Sequence, residues 1–151
     1  MNAISASAFR EIVTTTLLGA SVREAKCGLG TGSIVNLHLE GGPTGLLYLM
    51  IFCSWKIVQQ EAITCSWKDP ESSIEAAFSA TKNLRVLSAH VTSSGDVAIE
   101  LETGVWIYLF SDSAISEDIE FDSDYFVEVG ATSYTCLRGK FYVEDSATHQ
   151  E

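Results

Sequence analysis

The two halves of this 151-residue chain carry the same order of hydrophobic patterns, and this repetition limits the folds open to it. Apolar residues alternate with polar ones in both halves, first at Val35, Leu37 and Leu39 and then at Val97, Ile99 and Leu101. Each run then passes through a glycine turn into a nearly continuous apolar stretch, at 47–52 and 105–110. A period of two predicts β-strands, so each half is predicted to hold an antiparallel β-meander. The alternative is chance similarity, because strands joined by glycine turns look alike.

A helix is predicted ahead of each meander. The first, between residues 5 and 18, is indicated by apolar residues spaced along one helical face: Phe9, Ile12, Val13 and Leu17. The second is indicated by Ser72 and Glu75, which have the spacing of a capping box. Ile74 and Phe78 would form its apolar stripe.

These patterns predict an α+β fold built by internal duplication, with two helices packed on a mostly antiparallel sheet or a partly open barrel. Residues 1–151 are expected to form a single domain. Within it we expect a first repeat over about 5–69, a second over about 71–130, a C-terminal hairpin over 131–144 and a tail over 145–151.

The charge balance narrows the classes of partner. The chain has 20 acidic residues against 9 Lys and Arg, for a formal net charge of −11 with His neutral. Nucleic-acid binding depends on cationic side chains that release counterions, so the sequence predicts no nucleic-acid partner. Such a field favours a basic protein partner, although acidic residues also serve solubility alone.

The sequence predicts a cytoplasmic protein without membrane contact. Its first residues lack the basic and apolar regions of a secretory signal, and its longest apolar run, 46–53, is far too short to span a bilayer. The four cysteines lie far apart without zinc-ligand spacing and are expected to be reduced. The glycine-rich segment 28–32 lacks the Lys-Ser/Thr of a phosphate loop and is predicted to be a turn. No metal or cofactor is predicted.

Nothing in the sequence defines a catalytic centre, because a nucleophilic Ser or Cys needs an activating base and only three histidines are present. We therefore expect an interaction protein rather than an enzyme, with no catalytic residues assigned. One alternative stays open. A pocket between the two repeats, near Cys27, His90 and Tyr108, would make the protein a small-molecule binder or an enzyme.

A dense acidic segment distinguishes the second half. Residues 112–128 contain seven carboxylates and no basic residue, whereas the corresponding stretch in the first half, 59–64, is predicted to be a less charged strand. On a strand, Glu120, Asp122 and Asp124 would lie on one face, about 6.5–7 Å apart. With Asp118 they form a candidate face for a basic partner, and Trp55 or Trp106 are candidate anchors. The alternatives are an edge strand protected by charge and tryptophans that pack in the core.

Short motifs along the chain resemble a family of small bacterial proteins of unassigned activity. They are Leu17-Leu18 to Val22, Ile51–Ile57, Ser66–Asp69, Gly95–Val97 and Leu109–Ser113, within a resemblance that spans Leu17 to Gly130. That family looks similar to small acidic immunity or accessory proteins that accompany bacterial toxins. The resemblance implies an immunity-like role and transfers no catalytic residues.

Overall fold

The structure, a computed structural model, describes residues 1–28, 32–114 and 123–145. These residues form two helices, α1 (Ala6–Leu17) and α2 (Glu71–Ser79). The strands of the first half are β1 (Asn2–Ile4), β2 (Ser21–Gly28), β3 (Gly32–Gly42), β4 (Gly45–Ile51), β5 (Cys53–Gln59) and β6 (Ala62–Ser66). Those of the second half are β7 (Val86–Val91), β8 (Val97–Leu101), β9 (Val105–Ala114), β10 (Tyr125–Val129), β11 (Thr132–Leu137) and β12 (Lys140–Asp145). The α+β prediction is confirmed.

The strands divide between two antiparallel sheets, a point that the sequence patterns left open. One sheet has seven strands in the order β1-β12-β11-β10-β4-β3-β2, and the other has five in the order β6-β5-β9-β8-β7. Each meander stays in one sheet, but the hairpin that follows it crosses into the other. The β5–β6 hairpin therefore pairs with β9, and the β10–β11 hairpin pairs with β4.

The first crossing lies at Phe52, between β4 and β5. The amides of Phe52 and Cys53 both donate to the carbonyl oxygen of Asp124, at 2.8 and 2.9 Å. The amide of Asp124 donates in turn to the carbonyl of Cys136 at 2.8 Å. Buried backbone groups need hydrogen-bond partners. The carbonyl of Asp124 is the acceptor for the amides of Phe52 and Cys53, which lie where the chain passes from one sheet to the other.

The first strands of the two meanders meet through reciprocal backbone hydrogen bonds. Val22 donates to the carbonyl of Leu84 at 2.9 Å, and Val86 donates to that of Ala20 at 2.7 Å. Their own carbonyls accept from Asn83 at 2.8 Å and from Gly19 at 3.0 Å, respectively. These bonds link β2 of the seven-stranded sheet to β7 of the five-stranded sheet.

Helix α1 forms much as its sequence predicts. Ser5 caps it, because its hydroxyl accepts a hydrogen bond from the amide of Ala8 at 3.1 Å. Its apolar face is buried, with Phe9 and Leu17 at 0% exposure. The helix contacts β7, to which Arg10 Nε donates a hydrogen bond at the carbonyl of Val91, 2.6 Å away.

Helix α2 contacts β2 of the seven-stranded sheet. It begins at Glu71, earlier than the capping box predicts. The N-cap is Pro70, without a side-chain hydrogen bond, so the capping box at Ser72 and Glu75 is wrong. Proline favours the start of a helix because its φ is fixed near the helical value and it has no amide to satisfy. The carbonyl of Pro70 accepts the amides of Ser73 and Ile74.

Two strand predictions are also corrected. The stretch 59–64 is not one strand, because Gln60 and Glu61 have positive φ (52° and 65°) and form the turn between β5 and β6. Asp145, predicted to begin a tail, is the last residue of β12. The predicted strand over residues 119–122 and the tail over 146–151 lie outside the described residues.

The core fills the space between the sheets and beneath the helices. Alternate residues of β9 point inward, with Ile107 and Leu109 at 0% exposure. Aromatic rings link the helices to the sheets, since Phe9 lies 4.5 Å from Phe141 between ring centroids and Phe78 lies 4.9 Å from Trp55. Burial of such rings supplies much of the hydrophobic stabilisation.

The turn between β7 and β8 is packed against β9, β10 and β11. Gly95 has a φ of +98°, and its carbonyl accepts a hydrogen bond from the hydroxyl of Tyr125 at 2.8 Å. A Cβ at this position would stand 2.5 Å from the sulfur of Cys136 and 3.1 Å from Oγ of Ser111. Both the backbone conformation and the space therefore require glycine.

We expect Gly95→Ala to lower the free energy of unfolding by about 3 kcal/mol or more, since overpacking adds to the cost of a left-handed backbone. Gly41→Ala is the matched control, because Gly41 also has positive φ (84°) but a Cβ there meets nothing within 4 Å. The control should lose only about 1–2 kcal/mol. Urea denaturation of both variants measures the difference, and equal losses would contradict the packing assigned to Gly95.

Candidate functional site

The outer face of the five-stranded sheet carries a row of aromatic side chains on β9. Val105, Ile107 and Leu109 point into the core, so the intervening residues Trp106, Tyr108 and Phe110 lie on the opposite face, where each is half-buried. The rings of Trp106 and Tyr108 are stacked, with centroids 5.9 Å apart and planes 13° from parallel. We call these three residues the aromatic row.

Lys56 on β5 completes this surface. It stands directly opposite Tyr108 in the β5–β9 pairing. Its ammonium lies 5.2 Å from the centroid of the Tyr108 ring and 5.7 Å from that of Phe110. A cation at such distances over aromatic faces is attracted to them, which holds the lysine along the row. The aromatic row therefore presents flat apolar surface with one fixed positive charge.

Polar residues border the aromatic row on its β7 and β8 side. Glu100 is paired opposite Trp106, and its carboxylate accepts a hydrogen bond from the hydroxyl of Ser88 at 3.0 Å. His90 is exposed on β7 and is separated from Tyr108 by Ala98 in the same cross-strand row. An apolar centre with a polar rim is the usual anatomy of a protein-binding surface.

Among the predicted partner-binding residues that the structure describes, only Trp106 lies on this surface. Trp55 is 0% exposed, with its ring against Phe78 of α2, so its indole is not available to a partner. Its register opposite Leu109 turns it to the core. Asp118, Glu120 and Asp122 lie outside the described residues.

Asp124, the fourth carboxylate of the predicted acidic face, is only 7% exposed. It precedes β10 and its Oδ2 accepts a hydrogen bond from the amide of Arg138 at 2.7 Å, in the turn between β11 and β12. Its side chain therefore serves the internal structure and does not form part of an exposed face. The sequence does not reveal this role, because a carboxylate that accepts a hydrogen bond from a backbone amide looks like any other carboxylate in an acidic segment.

The buried thiols are poorly suited to nucleophilic chemistry. Burial raises the pKa of Cys53 to about 12, with a further contribution from the charge of Asp124. Burial likewise raises the pKa of Cys65 and that of Cys136 to about 11. The thiolate is the reactive form, so these thiols are almost entirely protonated at neutral pH. All four cysteines are free and buried.

The three residues of the predicted alternative pocket, Cys27, His90 and Tyr108, lie in two different sheets. Cys27 belongs to the seven-stranded sheet, and burial together with Glu75 and Glu71 raises its pKa. His90 and Tyr108 share the outer face of the other sheet. His90 also lines a cavity of about 320 Å³ between α1 and β7, together with Arg10 and Glu11.

A second polar cluster lies on the outer face of the seven-stranded sheet. His38 on β3 places Nδ1 3.3 Å from Oε1 of Glu24, and its ring meets that of Tyr48 edge to face with centroids 4.6 Å apart. Within the described residues, Nε2 of His38 and Oδ1 of Asn36 are buried without hydrogen-bond partners. Burial lowers the pKa of His38, although Glu24 opposes the shift.

Within the described ranges, no group of three or more His, Cys, Asp or Glu side chains is placed to hold a metal ion. No helix there is long and apolar enough to cross a membrane. Comparisons with protein-family models, curated protein sequences and solved structures find no match to this chain. The function must therefore be inferred from the geometry of its own surfaces.

We expect Asp124→Ala to lower the free energy of unfolding by about 1–3 kcal/mol, because the hydrogen bond between the buried carboxylate of Asp124 and the amide of Arg138 is lost. Asp124→Asn should lose less, since its amide oxygen can accept the same hydrogen bond. Urea denaturation at neutral pH compares the two. If both variants match the wild type, the carboxylate does not hold the β11–β12 turn.

His38 should make stability depend on pH. Its pKa is lowered from 6.5 in the folded protein, so the unfolded chain binds the proton more readily. Its contribution to stability is then complete above about pH 6.5 and is lost as the pH falls. The free energy of unfolding should therefore fall more steeply between about pH 8 and pH 5 in the wild type than in His38→Gln. Equal slopes in the wild type and in His38→Gln would refute the assignment.

Proposed function

We propose that this protein is a non-catalytic interaction module that binds a basic protein partner through the aromatic row. The single observation that carries the proposal is the half-buried stack of Trp106 and Tyr108 beside Phe110 on the outer face of the five-stranded sheet. Tryptophan and tyrosine dominate binding energy at protein interfaces, because they bury large areas at small entropic cost. The raised pKa values of the thiols favour a binding role over a catalytic one.

Charge supports a basic partner. Strand β9, which bears the aromatic row, leads directly into the acidic segment that contains Asp118, Glu120 and Asp122. In this proposal these carboxylates attract the partner and speed its approach, while the aromatic row supplies the lasting contact. The net charge of −11 acts in the same direction.

The proposal extends to origin and setting. We propose that the chain arose by internal duplication, which is supported by the reciprocal hydrogen bonds of Val22 and Val86 and by the exchange of hairpins between the sheets. A small acidic protein that covers a basic partner would act like the immunity proteins of bacterial toxin systems. Four free thiols favour a reducing compartment such as the cytoplasm.

The test is capture of a partner on the immobilised protein from a lysate of the source cells, at about 50 mM and about 500 mM salt. We expect a basic protein that is retained at low salt and reduced at high salt. With that protein purified, Trp106→Ala should raise the dissociation constant about 30-fold or more, because the complex loses a central aromatic anchor. Calorimetry measures this change. Glu120→Gln with Asp122→Asn should chiefly slow association.

Tyr48→Ala is the matched control, because Tyr48 is a half-buried aromatic residue on the outer face of the other sheet. It should leave the affinity unchanged. The proposal fails if Trp106→Ala binds as tightly as the wild type, or if the Tyr48 and Trp106 variants lose affinity equally. An association rate that is unchanged by salt and by the acidic substitutions would contradict the proposal that the partner is basic.

A further inference from the structure

A cavity of about 710 Å³ lies beside α2, between the helix and one end of the five-stranded sheet. Its walls include Ala77 and Thr81 of the helix region, Ile57 of β5, Thr64 of β6 and Val105 of β9. Its volume falls within the range of about 300–1,000 Å³ that is typical of small-molecule sites. It is separate from the aromatic row, because Ile57 and Val105 are buried core-side residues whereas Trp106 faces outward.

The two helices differ in what lies beside them. In the seven-stranded sheet, β12 follows β11 and contacts α1, where the ring of Phe141 packs 4.5 Å from that of Phe9. Among the described residues, the five-stranded sheet ends at β6. No strand in the described part of the chain lies beyond β6 to match the position of β12 beside α1, and the cavity opens there.

The walls define the chemistry of an occupant. Among the residues that the structure describes, the lining is made of aliphatic, hydroxyl and amide side chains and contains no charged residue. A charged ligand would lose its hydration without a counterion, so an uncharged one is favoured. Thr81, 2% exposed, already donates its hydroxyl to the carbonyl of Phe78 at 2.6 Å, and Thr64 donates to that of Ile57 at 3.3 Å. Both hydroxyls retain lone pairs that can accept a hydrogen bond from a ligand.

A compact molecule fits this site better than an added strand. The pairing of β5 with β6 shifts between Ile57, opposite Cys65, and Val58, opposite Ile63, so that Thr64 forms a bulge. A bulge interrupts the row of backbone groups that a strand from a partner would need. The concave walls and the hydroxyl acceptors are unaffected by it.

We propose that this cavity binds an uncharged, largely hydrocarbon small molecule that carries an N–H or O–H donor. The aliphatic walls cover its body, and the hydroxyl oxygens of Thr64 and Thr81 accept from its donor. This activity is additional to partner binding and does not depend on the aromatic row.

The test uses N-phenyl-1-naphthylamine, an uncharged fluorescent probe with one N–H donor, titrated into the intact protein. We expect saturable enhancement of its emission with a 1:1 stoichiometry. Anilinonaphthalene sulfonate has the same aromatic skeleton with a negative charge, and it should bind at least about tenfold more weakly because its sulfonate finds no counterion in the cavity.

Two variants fill the cavity, Ala77→Phe and Ala76→Leu, and each should weaken binding of the uncharged probe about tenfold or more. Thr15→Leu is the control, because it adds a similar side chain to an exposed position of α1 outside the cavity. Circular dichroism verifies that each variant is folded. No saturable binding, tighter binding of the sulfonate, or equal affinity in the filled variants and the control would each overturn the proposal. If the filled variants instead lose only a protein partner, the cavity receives a side chain of that partner, and the small-molecule assignment is wrong.

Discussion

The carbonyl oxygen of Asp124 accepts hydrogen bonds from two successive amides, those of Phe52 and Cys53, and the arrangement of both sheets depends on this meeting point. At Phe52 the chain leaves one sheet and enters the other, so these amides are not satisfied by a continuing strand. Burying them without an acceptor would cost about 1–3 kcal/mol each. The same residue holds β11 through its own amide and the β11–β12 turn through its carboxylate. Asp124 thus links the β4–β5 crossing to β11 and to the β11–β12 turn, at the place where the sheets exchange hairpins.

Local patterns predicted those elements whose burial is regular. Helix α1, β3 and β8 follow from apolar residues spaced at helical or strand periods, since one face of each is buried. The division into two sheets could not be predicted, because a period of two is the same whichever strand lies alongside. The apolar stretch 47–52 predicts one strand, and the change of sheet at Phe52 depends on hydrogen bonds to a residue far along the chain.

The candidate site could be predicted only in part, because a strand pattern does not show which of its two faces is buried. Trp55 and Trp106 both lie in strands, and only their parity decides which one is exposed. Trp55 stands opposite Leu109 and faces the core, whereas Trp106 stands opposite Val58 and faces outward. The alternation of Trp106, Tyr108 and Phe110 was present in the sequence as a signal of an aromatic face. The cavity beside α2 had no such signal, because it lies where β6 ends the five-stranded sheet in the described part of the chain.

The exchange of hairpins has a consequence for the order in which this chain can fold during synthesis. When the ribosome has released residues 1–66, the β5–β6 hairpin exists, but its neighbour β9 has not yet been translated. Strand β4 must likewise wait for β10. Neither half can complete its sheet alone, so the nascent protein carries unpaired strand edges until β9 and β10 have been synthesised. Unpaired strand edges favour association with other chains. This topology therefore relies on rapid pairing of these edges once β9 and β10 have been synthesised, or on chaperones that shield β4 and β5 until then.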